Sequence, residues 1–113
     1  MASPNARTKK IIQTFLDYLQ SKIAVEKVYL FGSFASGRTK EFSDIDLAII
    51  SKDFKKMEPF DRLVFLGKIA WQAGTPIIEA LGYTPEEFKS NSPLEFPSEI
   101  KKTGISLKIK RVA

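Results

Sequence analysis

Asp44 and Asp46 stand two residues apart in Ser43-Asp44-Ile45-Asp46-Leu47, at the head of a run that reads as a strand from Asp44 to Ile50. Side chains alternate along a strand, so the two acids share one face with their α-carbons about 6.5 Å apart. Carboxylates so placed can share divalent cations, while Ile45 and Leu47 point into a core and hold the strand still. Acids at a strand start also serve as turn or cap residues, so the pair alone does not decide. Upstream, Gly32-Ser33 follows a strand and opens a helical turn. Backbone N–H groups there attract phosphate, glycine allows its close approach, and Ser33 adds a hydroxyl donor. An ordinary strand-to-helix turn favours the same two residue types.

Both pieces need elements to hold them. From a cap at Thr8, Ile11, Ile12, Phe15, Leu16, Leu19 and Ile23 recur at helical spacing, with Lys9, Lys10, Gln13, Asp17 and Gln20 on the other side. Val25 to Phe31 reads as a strand ended by Gly32. Pro59 suits the first turn of a second helix and Gly74 its end. In that helix Phe60, Leu63, Val64, Gly67 and Trp71 form one stripe, which Leu66, Ile69, Ala70 and Ala73 widen. So much apolar surface predicts burial on two sides, the alternative being a docking face. Thr75 to Leu81 reads as a third strand. Thr84-Pro85-Glu86-Glu87 reads as a capped helix start, 97–102 as a short helix ended by Gly104, and Ile105 to Ile109 as an edge strand. The expected class is α+β, α/β-like, with a small mixed sheet flanked by helices. Residues 1–7 are expected to form a disordered tail and 8–113 one domain.

Composition narrows the chemistry. The 113 residues contain no cysteine and no histidine, which removes thiol nucleophiles, histidine bases and the usual zinc sites. Carboxylates, hydroxyls, lysine, arginine and oxygen-bound hard metals remain. A 43% hydrophobic, 27% charged chain is the balance of a soluble globular domain, with no run of membrane-spanning length. The absence of cysteine suits the cytoplasm. A net charge of +5 favours polyanions such as nucleotides or nucleic acid, or serves solubility alone. RNA is weakly supported, because no stretch pairs clustered basic residues with exposed aromatics.

Joined, the segments read Gly32-Ser33-Phe34-Ala35-Ser36-Gly37, five residues, then Ser43-Asp44-Ile45-Asp46-Leu47. This resembles the nucleotidyltransferase signature G-S-x-x-x-G, x5, S-D-x-D-L, in glycines, serines, aspartates and spacing alike. The chain is similar to the minimal nucleotidyltransferases of the DNA polymerase β-like superfamily. That resemblance implies a third carboxylate on a later strand, best matched by Glu79, an acid set in an apolar strand; Asp53, Glu58 and Asp61 match less well. It implies nucleotide binding by Gly32, Ser33, Gly37 and Ser43. Many relatives carry an arginine before the second glycine, where Ser36 stands here; Arg38, or more weakly Lys40, could supply that charge.

The resemblance further implies transfer of a nucleoside monophosphate, by family default AMP from ATP, to an acceptor hydroxyl with release of pyrophosphate. Two Mg2+ ions, replaceable by Mn2+, would be held by Asp44, Asp46 and Glu79. A chain this short leaves no room for a separate acceptor domain. The family pairing with a helical HEPN protein, as antitoxin and toxin, therefore supplies the expected partner. A non-catalytic module acting by complex formation is the alternative, and oligomeric state stays open.

Overall fold

The computed structural model describes residues 5–32, 44–89 and 95–109. Helix α1 spans Ala6–Gln20. Its cap is Asn5 rather than Thr8: the Asn5 side chain accepts a hydrogen bond from the Thr8 N–H at 2.8 Å, and Thr8 itself is buried. Asparagine caps as well as threonine does, and the earlier one took the role. Asn5, Ala6 and Arg7 thus belong to the helix and its cap, not to a tail. The predicted stripe is the buried one, with Ile12, Phe15, Leu16 and Leu19 in the core.

Four strands follow: β1 (Lys27–Phe31), β2 (Ile45–Ile50), β3 (Ile78–Tyr83) and β4 (Ile105–Leu107), in sheet order β3-β2-β1-β4. β1 runs antiparallel to β2 and to β4, and β2 pairs parallel with β3. A parallel pair needs a crossover, here a 3-10 turn (Lys52–Lys56) and helix α2 (Pro59–Gln72). Two short helices, α3 (Pro85–Phe88) and α4 (Phe96–Thr103), precede the edge strand β4. The class is α+β, a mixed sheet flanked by helices.

Each face of the sheet has its own apolar cluster. Val28, Leu30, Ile45, Leu47, Ile49, Ile78 and Ala80 face α1 and α2. On the other face Ala48 and Ile50 pack with Phe88 and Ile100, beside Tyr29, Phe31 and Tyr83. β2 is covered on both sides, which is why it reads as continuously apolar after Asp46.

Two expectations shift. The third strand begins at Ile78, not Thr75, and runs on to Tyr83. Residues 74–77 serve to end α2: Gly74 takes φ +74°, and the Thr75 N–H bonds back to the Ala70 carbonyl at 2.8 Å. Helix α2 is not buried on two sides. Leu66, Ile69 and Ala70 enter the core, but Phe60, Leu63, Val64 and Trp71 are 71%, 49%, 54% and 76% exposed.

Arg62 ties these parts together. Buried in the middle of α2's first turns, it donates to the Met57 carbonyl at 3.0 Å, to the Gly82 carbonyl at 3.3 Å and to the Glu87 carboxylate. Glu87 also accepts from the Thr84 N–H in the capping box that starts α3. Burial pushes the Glu87 carboxyl up, but the bonds and charge of Arg62 and the bonds of Thr84 hold it below its usual value. Its contribution to stability is therefore present above the unfolded carboxyl pKa, about 4.3, and is lost as pH falls through the lower folded value. We expect Glu87→Gln to cost about 1–2 kcal/mol in urea unfolding at neutral pH, modest for a charged hydrogen bond because Glu87 is half exposed. The deficit should shrink as pH falls below that unfolded value and be gone below the lower folded one, where the wild-type carboxyl is itself protonated.

Candidate functional site

Asp46 sits in β2 between two neighbours fixed by strand register. In the antiparallel pair it lies opposite Phe31, the last residue of β1, and in the parallel pair opposite Glu79 of β3. Ile45 and Leu47 are buried, so the strand is anchored through them and Asp46 turns to the second face, half buried. Asp44 lies one residue before β2 and is exposed. Glu79 is exposed as well, so it carries no burial cost that a partner must offset. Its place inside an apolar strand reflects an outward-facing position between buried Ile78 and Ala80.

Asp46 feels the charge of both other acids. Burial, then the charge of Glu79, then that of Asp44 push the Asp46 carboxyl above its usual range. Among the described residues no lysine or arginine is ion-paired with any of the three. The site concentrates negative charge and leaves it unneutralised by this chain's described side chains.

Gly32 is fixed by the same acid. Its φ of +71° lies in the left-handed region, and a Cβ there would run into Asp46 Oδ2. The glycine that ends β1 thus lets backbone and carboxylate come together at one point. Ser33, Gly37, Arg38 and Ser43, with Ser36 and Lys40, lie outside the described residues.

The carboxylates open on a cleft of about 460 Å³ at the β3 edge, lined by Phe31, Asp46, Leu63, Gly67, Glu79 and Leu81 among others. A comparable cleft between α1 and β4 contains no carboxylate. The weaker acidic candidates fall elsewhere. Asp53 accepts the Ala24 N–H at 2.9 Å and fastens the approach to β1, while Glu58 and Asp61 are exposed at the start of α2. The sequence did not single out Phe31, Leu63 or Gly67 as site-lining. The one available signal was a glycine in the interior of a helix, which needs a reason.

The sequence model of the family described as polymerase β nucleotidyltransferase matches residues 9–73, more than half of the chain. The chain belongs to this family. The nucleotidyltransferase match takes in Gly32, Asp44 and Asp46 and stops before β3, so Glu79 rests on the strand register alone. A solved structure from Sulfolobus solfataricus, provisionally described as a nucleotidyltransferase, is similar with a TM-score of 0.51 at 20% identity, over 94% of this chain and 89% of that one. At that identity the likeness is one of fold. No match is found among curated proteins.

Whether this nucleotidyltransferase-family site suits a divalent cation can be asked of its donors. All three are carboxylates, the oxygen ligands that hard cations take, and their repulsion is of the kind a cation relieves. Among the described residues no group of three acids is arranged to enclose a metal unaided. Magnesium sites are commonly of this kind, using one or two carboxylates with water and substrate phosphate filling the remainder. The donors fit.

Two outcomes follow for stability. Gly32→Ala should cost more than about 1 kcal/mol from the left-handed backbone alone. In an Asp46→Ala background, which removes the clashing oxygen, the cost should fall toward that backbone share, as a double-mutant cycle would measure. Asp46→Asn should raise the melting temperature at neutral pH, because an acid whose folded pKa is raised destabilises the fold when ionised. The gain should begin to shrink as pH drops through that raised pKa and be gone below the unfolded carboxyl value, about 3.9, where both states are protonated; an unchanged gain at low pH would contradict the charge origin.

Proposed function

We propose that this domain transfers a nucleoside monophosphate from a nucleoside triphosphate, ATP as the family default, to an acceptor hydroxyl with release of pyrophosphate. One observation carries the reading. The parallel register brings Glu79 beside Asp46 at the mouth of a cleft, and the charge of Asp44 also acts on Asp46, in a family whose signature ends on those two aspartates. Asp44 and Asp46 would hold two magnesium ions between them, with Glu79 on the acceptor side. When bound, such ions neutralise charge on the attacking and leaving oxygens; manganese can take their place. Gly32, Ser33, Gly37 and Ser43 would bind the nucleotide, the first two at its terminal phosphates, and Arg38 would offset their charge. Glu79 would favour loss of the hydroxyl proton, a role that calls for no histidine, and the chain has none.

A partner protein is the acceptor this reading favours, of the helical HEPN type and in an antitoxin–toxin setting. A second reading is that the domain acts by complex formation alone. It is favoured by the exposed apolar stripe of α2, since contiguous exposed apolar surface marks interaction sites. Among the described residues no helix is long and apolar enough to cross a membrane.

The test is incubation with labelled ATP, magnesium and a HEPN-type partner. Label on the partner with release of pyrophosphate supports transfer, whereas stable binding without label supports the second reading. Asp44→Asn and Asp46→Asn should each lower the rate by at least about 10²-fold, on the scale of removing a principal charge-stabilising group, without unfolding the domain. Glu79→Gln should reduce turnover while triphosphate binding is largely kept. Full turnover in either aspartate variant would rule out the assigned site.

A further inference from the structure

The exposed face of α2 has an internal pattern. Phe60, Val64, Gly67 and Trp71 are spaced four, three and four residues apart, the spacing of a coiled-coil seam, with Leu63 alongside. They lie opposite the buried face of Leu66, Ile69 and Ala70, so α2 presents a second stripe outward. Gly67 at its centre meets nothing within 4 Å where a Cβ would stand. Nothing in the packing of the described residues requires a glycine there, and glycine in a helix interior costs about 1 kcal/mol relative to alanine.

The stripe matches itself when turned end for end. The midpoints of Phe60 with Trp71, and of Val64 with Gly67, both fall between residues 65 and 66. An antiparallel two-fold pairing about that point sets ring against ring at both ends. In the middle it sets a branched side chain against a gap, twice. Isologous contacts demand this self-complementarity, whereas an unrelated chain or a lipid surface does not. The apolar surface also continues beyond Phe60. A cleft lined by Pro59, Arg62, Phe96 and Pro97 leads to Phe96, which is itself exposed.

We propose that α2 is a self-association surface that pairs antiparallel with α2 of a second copy of this chain. Phe60 packs on Trp71 of the second copy, and Val64 fills the gap at Gly67 of the second copy. The seam borders the carboxylate cleft, since Leu63 and Gly67 line that cleft too. The pairing does not depend on the proposed transfer activity and is read without substrate.

The experiment is sedimentation equilibrium of the full chain over a wide concentration range, with circular dichroism to confirm folding of each variant. We expect a concentration-dependent dimer. Trp71→Glu and Gly67→Val should each weaken it by about tenfold or more, the size of effect expected at the centre of an interface. The exchange Val64→Gly with Gly67→Val restores a branched side chain opposite a gap and should recover most of the lost affinity. A wild-type monomer at all concentrations overturns the proposal, as does a dimer indifferent to both single substitutions. Folded variants whose only lost contact is with a different protein would assign the face to that protein instead.

Discussion

The ionised carboxylate of Asp46 is the constraint around which the second face is arranged. It is half buried, and like charges on two sides raise the cost of its ionisation. It leaves no room for a side chain where β1 ends, which obliges Gly32 to be a glycine in the left-handed region. The apolar neighbours Ile45 and Leu47 prevent the strand from rotating that charge into water. Stability is given up locally at a point where a cation-dependent reaction would use the same electrostatics, and this sets the site apart from the well-satisfied remainder of the described chain.

Much of this was legible in the sequence where one local rule dominated. The alternation of Ile45, Asp46 and Leu47 gave the faces of β2, and the Thr84–Glu87 capping box gave the start of α3 to the residue. Edges blurred where two rules competed. Asn5 and Thr8 are both good caps, and only packing selects between them, because Thr8 is needed inside. The third strand was placed early because residues 75–77 look extended, although they fasten the end of α2. Glu79 was found for a reason the structure alters. It is tolerated because β3 is an edge strand with one open face, not because a ligand offsets its burial.

Helix α2 shows where sequence patterning stops informing. An apolar residue on every side of a helix predicts burial on every side, yet the sequence does not count how many layers are available to cover it. Here one layer, the sheet, covers one stripe. Arg62 lies within the covered half, a position that charge alone would place in solvent. Its three acceptors come from the loop before α2, from β3 and from α3, so no short-range pattern could have announced it.

The segment from Gly74 to Ile77 sets how β3 meets β2, and with it the identity of the residue beside Asp46. Because side chains alternate along a strand, one residue added or removed there would carry Glu79 to the core side or send Ile78 outward. The composition of the site would then change with no substitution at any of its residues. Variation in the length of this connector is thus a more severe kind of change than variation in its letters. The short, bonded end of α2, with its glycine and its Thr75 to Ala70 bond, acts as the ruler that keeps that length.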